Sequence, residues 1–381
     1  MADPTIQTFC CHRNADNSAY YLMKEFNKQR FIIISIISSI IGISGSIYQI
    51  FIRKSNQETT TPRSLIGRKI IVYLAYSDMF ASIGILVRSG IWSYVRPKMP
   101  YEDDSVSVLS CSISSAFIQL FYTATWLWTF VYAYNMRCAL RNKIVQVRDL
   151  HIIVWSVSFL LTAIGTTSLY YPDANCHDIE DTTSALLRIM PNYFVNYGPI
   201  AFVMIANPII YSQCSKEVDN QLIQRFGRYT NNERQIHDLF KIKFSLIITI
   251  FYFCWFPNVI NAILMWTMWP QLSFNNTIGQ IVVFNWYIIA VVNPLQAFFN
   301  AFIYRKWSEK LFGCCWIKDC FLRCWGSGMD VHRTTHVISE ATPLLQSSST
   351  RLNNERVENE EIMTIEDGDR FYKFSIQCPL V

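Results

Sequence analysis

The chain has 381 residues, of which 51% are hydrophobic, 15% aromatic and only 16% charged, against about 25% charged in a soluble domain. Its apolar residues run in long uncharged blocks instead of alternating at periods of about 2 or 3.6, which excludes disorder, a collagen-like fibre, a small disulfide scaffold and an ordinary soluble enzyme. The net charge of +5 is spread over short segments and leaves no footprint for nucleic acid. The twelve cysteines have to be read by the side of a membrane that each one faces.

A membrane-spanning helix needs about 20 largely apolar residues. Seven stretches qualify, at about 31–52, 70–95, 111–136, 151–170, 191–212, 244–269 and 278–304. The predicted fold class is therefore all-α, a bundle of seven transmembrane helices over 31–304. It is preceded by a segment 1–30 with no apolar run of signal-peptide type, and followed by a juxtamembrane segment 305–325 and a tail 326–381.

Lys and Arg counts set the orientation. The loop 53–69 holds Arg53, Lys54, Arg63, Arg68 and Lys69. The loop 137–150 holds Arg137, Arg141, Lys143 and Arg148, and the segment 213–243 holds Lys216, Arg225, Arg228, Arg234, Lys241 and Lys243. The other side carries Arg96, Lys98 and Arg188 with Arg13, Lys24, Lys28 and Arg30 of the N-terminal segment. This predicts a luminal or extracellular N-terminus and a cytosolic tail. Asn275-Asn276-Thr277 is then a glycosylation sequon at Asn275 in an outer loop. Cys111, at the outer start of the third span, and Cys176, alone in its outer loop, are expected to form a disulfide. The pairing of Cys10 and Cys11 stays open.

Within the spans the ionisable Asp, Glu, Lys and Arg residues are Asp78 and Arg88, both in the second. Such groups are expensive in hydrocarbon and mark a function or a paired interior site. A transporter would carry a relay of them and often broken or repeated helices, and neither is evident. His12, His151, His177, His237, His332 and His336 lie in loops, in tails or at a span edge, away from the intramembrane metal site a hydrolase would need. The last span has no lysine for a retinal Schiff base. No enzyme activity, cofactor or metal is expected.

What remains is a bundle that binds something and changes shape. Leu74-Ala75-Tyr76-Ser77-Asp78, Trp155, Cys254-Trp255-Phe256-Pro257 and Asn293-Pro294, in this order over seven spans, resemble the G-protein-coupled receptors. Pro257 removes a helix hydrogen bond and supplies a hinge. Trp255 is expected to sit below a ligand pocket as a packing switch, Asn293-Pro294 to give a second weak point, and Asp78 to pair with Asn293. Two departures stand out. Asn135-Met136-Arg137 replaces the acid-Arg-Tyr triplet at the end of the third span, and no tyrosine follows three residues after Pro294.

A narrower resemblance rests on Thr8-Phe9-Cys10-Cys11, Ser77-Asp78 through Arg88-Ser89 and Trp92, and Ile118-Gln119-Leu120 with Tyr122. It extends through Leu169-Tyr170-Tyr171-Pro172, Ala206-Asn207-Pro208-Ile209, Asn232-Glu233-Arg234, Lys241-Ile242-Lys243-Phe244 and Asn293-Pro294 with Gln296. These strings are similar to the ocular albinism type 1 receptor family over roughly residues 1–305. The resemblance implies an intracellular receptor of lysosomes, late endosomes or melanosomes, with some at the plasma membrane. It implies coupling to heterotrimeric G proteins, arrestin as a further candidate partner, a response to L-DOPA, tyrosine or a related small aromatic amino acid or catechol, and control of organelle biogenesis or pigmentation.

The residues sort the ligand classes independently. The third span has no carboxylate to anchor an amine. Arg88 lies about six residues, roughly 9 Å, below the outer end of its span, where an always-charged guanidinium suits a carboxylate; the plainer alternative is a snorkelling or salt-bridged anchor. Gln119, Tyr122 and Trp126, with Asn258 and Asn261, are the expected ligand contacts at that height, and Trp255 is the expected contact below them.

After the last span, Arg305-Lys306-Trp307 and Lys310-Leu311-Phe312 with Cys314, Cys315, Cys320 and Cys324 read as an amphipathic helix on membrane lipid, palmitoylated at Cys314 and Cys315. Zinc is the rival reading, though no histidine falls among these cysteines. The polar tail is expected to be disordered and open to phosphorylation. Within it Glu340-Ala341-Thr342-Pro343-Leu344-Leu345 resembles the acidic dileucine signals, Glu340 with Leu344 and Leu345, that clathrin adaptor complexes read. A lysosomal transporter or channel without G-protein coupling, or a trafficking protein, are the alternatives to a receptor.

Overall fold

A computed structural model of the chain describes residues 26–55, 62–94, 105–141, 143, 145–171, 182–226, 231–268 and 277–304. Among them all regular structure is helical: α1 Lys28–Ser55, α2 Pro62–Tyr94, α3 Ser105–Leu140, α4 Val147–Tyr170, α5 Thr182–Phe226, α6 Asn231–Met268 and α7 Thr277–Tyr304. Cys10, Cys11, Cys176, Asn275, Cys314, Cys315, Glu340, Leu344 and Leu345 lie outside the described residues, as do the expected surface helix and tail.

The helices run on beyond the apolar stretches. Most of 53–69 and 213–243, expected as loops, is helical. An α-helix satisfies its own backbone wherever it emerges, and the Lys, Arg, Glu and Gln of these segments favour helix. Pro62 opens α2 at a position where the missing amide is harmless.

Among the described residues, six helices contain stretches long and apolar enough to cross a membrane: residues 29–51, 66–93, 147–170, 190–218, 245–264 and 279–303. The exception is α3, expected as a seventh span of the same kind. It is diluted by Ser112, Ser114, Ser115, Gln119, Thr123, Thr125 and Thr129, and at 36 residues it is about 54 Å long. Its position explains the dilution. Helices α1 and α2 pack together, α1 also packs on α7, α7 on α6 and α6 on α5, while α3 packs on α2, α4 and α5. Its Tyr122, Trp126, Trp128 and Tyr132 are fully buried. Lipid is met instead by outward residues such as Ile152, Ile153, Phe159 and Leu160 of α4.

Among the described residues, five prolines lie inside helices, Pro191, Pro199 and Pro208 in α5, Pro257 in α6 and Pro294 in α7. Each deprives the carbonyl four residues earlier of its amide donor, which is costly where no water can replace it. Two of those carbonyls are capped from a neighbouring helix. Ser38 Oγ of α1 donates to the Ala290 carbonyl at 2.8 Å, four residues before Pro294. Tyr252 Oη of α6 donates to the Met204 carbonyl at 2.7 Å, four before Pro208. The α1–α7 approach depends on glycine, since a Cβ on Gly42 would strike the Pro294 carbonyl oxygen and one on Gly45 the Phe298 backbone.

Candidate functional site

Arg88 lies two turns from the C-terminal end of α2 and is 7% exposed. Its Nη2 donates to Cys111 Sγ at 3.8 Å, and its guanidinium carbon stands 5.4 Å from the Trp92 ring centroid. Tyr170, at the end of α4, interacts electrostatically with Arg88 and hydrogen-bonds Ser112 and Ser115. Burial of the whole side chain argues against an anchor that snorkels to water. Cys111 is disulfide-bonded.

Deeper in the bundle, Trp255 sits edge-on to Tyr122, centroids 5.0 Å apart, and to Trp126 at 4.9 Å. All three are essentially inaccessible. The Trp255 indole Nε1 donates to Gln296 Oε1 of α7 at 2.6 Å, so the ring is held by a hydrogen bond as well as by packing.

The α6–α7 seam is an amide ladder. Asn258 and Asn293 exchange reciprocal bonds, Nδ2 to Oδ1 at 3.0 Å and the return at 3.3 Å, just past Pro257. Asn285 Nδ2 donates to the Pro257 carbonyl at 2.8 Å, and Trp286 Nε1 donates to Asn261 Oδ1 at 2.9 Å. Between α3, α4 and α5 lies a second amide group: a Cβ on Gly165 would come 3.1 Å from both Asn192 Oδ1 and Gln119 Nε2. Thus Gln119 meets α4 and α5, Tyr122 and Trp126 meet Trp255, and Asn258 and Asn261 are engaged with α7.

The expected Asp78–Asn293 pair is corrected. Asp78 Oδ1 accepts from Thr125 Oγ1 of α3 at 2.9 Å, and its Oδ2 accepts from Asn300 Nδ2 of α7 at 3.1 Å. Asn293 and Asn300 are seven residues apart, which puts them on one helix face, about 10 Å apart along the axis. Asn300-Ala301-Phe302-Ile303-Tyr304 holds an asparagine and a tyrosine four apart, the spacing sought after Asn293, with alanine in proline's place. That spacing is the signal that would have found Asn300. Gln296, Thr125 and Trp286 were also missed as partners, and only contact geometry singles them out.

At the opposite end of the bundle, Trp155 Nε1 donates to His151 Nδ1 at 3.0 Å, and the His151 ring stands edge-on to Tyr73 at 3.9 Å. Asn135 and Met136 are buried. Arg141 of α3 reaches Glu217 of α5 at 3.9 Å, an exposed ion pair of small energetic weight.

Comparison with known proteins agrees with this architecture. The model of the ocular albinism type 1 protein family matches residues 1–363. Human G-protein coupled receptor 143 is 27% identical over 328 residues, 81% of this chain and 78% of that protein. Cyclic AMP receptor-like protein C of Dictyostelium discoideum is 21% identical over 250 residues, 62% of each chain. The crystal structure of squid rhodopsin superposes with a TM-score of 0.54 at 13% identity, covering 81% of this chain and 89% of that one. The last likeness establishes the fold, a multi-pass helical bundle of the G-protein-coupled receptor type. The relatives make it a receptor family, not an enzyme family. The chain belongs to the ocular albinism type 1 protein family.

Proposed function

We propose that this chain is a ligand-activated receptor for a small carboxylate-bearing aromatic molecule, L-DOPA, tyrosine or a close relative, and that it signals through heterotrimeric G proteins. The carrying observation is Arg88: a cation within a membrane span, buried over the ring of Trp92 and in electrostatic contact with Tyr170. A planar guanidinium pairs with a carboxylate in a bidentate manner, and the flanking rings suit an aromatic body. Trp255, on the same helix as Pro257 and bonded to Gln296, is the element whose repacking would pass ligand binding to the far ends of α6 and α7. The receptor's membrane is endolysosomal or melanosomal, a reading supported by the family resemblance. Its N-terminus is luminal, its Cys111 is bridged to Cys176, Asn275 is glycosylated, Cys314 and Cys315 are palmitoylated, and its tail is read by clathrin adaptors and arrestin.

The test is a G-protein dissociation assay with a panel of amino acids and catechols, using the full chain with Leu344→Ala and Leu345→Ala to hold it at the cell surface. The expected result is a saturable response to L-DOPA or tyrosine. A flux of substrate across the membrane with no G-protein response to any of them would instead favour a transporter.

A further inference from the structure

Asn192 and Asn196, one turn apart on α5, are both fully buried. Asn196 Nδ2 donates to the Asn192 backbone carbonyl at 2.8 Å and to Asn192 Oδ1 at 3.0 Å. That leaves one donor, Asn192 Nδ2, and one acceptor, Asn196 Oδ1, buried without a partner. Buried polar groups are nearly always paired, and an apolar residue at either position would avoid the cost. A donor and an acceptor on adjacent turns of one face are complementary to a group that both accepts and donates, as a hydroxyl does.

The surroundings support a site. The same cluster contains Gln119 of α3, and α4 comes close only because residue 165 is glycine: a Cβ there would stand 2.6 Å from Val195 Cγ2 and 3.1 Å from Asn192 Oδ1 and Gln119 Nε2. Along α3, Gln119 is eight residues from Cys111, the partner of Arg88, a separation of about 12 Å. An extended molecule with a polar group at each end fits that interval. We infer that Asn192 and Asn196 form a hydroxyl-recognising subsite, in which one ligand hydroxyl or two adjacent ones accept from Asn192 Nδ2 and donate to Asn196 Oδ1. This rests on the receptor reading for the other end of the ligand. It adds that α5 reads the hydroxylation of the ligand's aromatic ring. Entry requires the helices at this end to part, so binding selects a conformation different from the closed one.

The test measures the thermal unfolding midpoint of the purified full chain against concentrations of L-tyrosine, L-phenylalanine and catechol. A site built to pair a hydroxyl discriminates strongly against an analogue lacking it. The wild type is expected to prefer L-tyrosine to L-phenylalanine by about tenfold or more, and Asn192→Ala to bring that ratio close to one with L-phenylalanine unchanged. Asn192→Ser, which keeps a donor, recovers part of the preference and controls for misfolding. Catechol has no carboxylate, so Arg88→Ala should leave its binding intact while weakening both amino acids. If catechol binds in an Asn192-dependent way but neither amino acid binds, the carboxylate reading fails and the subsite stands. The subsite is overturned if catechol does not bind the wild type, or if Asn192→Ala and Asn192→Ser leave the tyrosine preference and catechol binding as they were.

Discussion

The Tyr252 hydroxyl of α6 donates to the Met204 carbonyl of α5 at 2.7 Å, and Met204 stands four residues before Pro208, the residue that removed its amide partner. The tyrosine replaces, from another helix, the bond that the proline deleted. It thereby ties the hinge-bearing helix to its neighbour three residues before Trp255.

Tyr252→Phe should therefore lower stability by about 1 kcal/mol. That lies between the ~0.6 kcal/mol average of interhelical bonds in a membrane bundle and the ~1–3 kcal/mol of an orphaned buried group. Pro208→Ala in the same chain should restore most of the loss, because an amide at residue 208 again serves the carbonyl. Unfolding midpoints of the single and double variants check it. Strict additivity would show that the hydroxyl is not a substitute for the missing amide.

Asn300→Ala should be more damaging than Asn293→Ala. The first takes a donor from Asp78, expected to cost about 1–3 kcal/mol, and the second removes a neutral amide pair with Asn258 worth about 1 kcal/mol. Unfolding midpoints together with G-protein activation rank the two. The reverse ranking would return the role to Asn293.

The two asparagines also show how far the sequence could be read. The spans were legible because apolar blocks need no partner to be recognised, and Asp78 and Arg88 because charge is rare in such blocks. Position along α7 was not legible. Asn293 and Asn300 share a face, and the Asn-Pro dipeptide drew attention to the first. The vertical register of α7 against α2 is fixed by α1, where Gly42 and Gly45 accept the Pro294 carbonyl and the Phe298 backbone and Ser38 caps Ala290. None of those contacts leaves a local pattern. For the same reason Asn258 and Asn261 looked like polar groups facing a ligand, while their partners on α7 became visible only once the helices were packed.

Gly42→Ala should lower expression and stability, since its Cβ meets the Pro294 carbonyl and neither backbone can yield. Gly90→Ala meets nothing within 4 Å and should be neutral, or stabilising by up to about 1 kcal/mol from helix propensity alone. Fluorescence-detected gel filtration of the two variants compares them directly. Equal tolerance would mean that α1 is free to shift on α7.

Leu344→Ala with Leu345→Ala should move much of the protein to the cell surface, read by antibody labelling of unpermeabilised cells. Unchanged labelling would remove Glu340 through Leu345 as the address and send the search to 213–243.

The most direct test of the receptor account is the concentration–response curve for L-DOPA and L-tyrosine in G-protein dissociation, comparing the surface-directed chain with its Arg88→Ala and Arg88→Lys variants at matched surface expression. Loss of a buried charged pairing is worth several kcal/mol. The account predicts a response abolished or shifted by about a hundredfold or more in Arg88→Ala, and a smaller shift in Arg88→Lys, which keeps the charge but not the bidentate geometry. Superimposable curves for all three would contradict it.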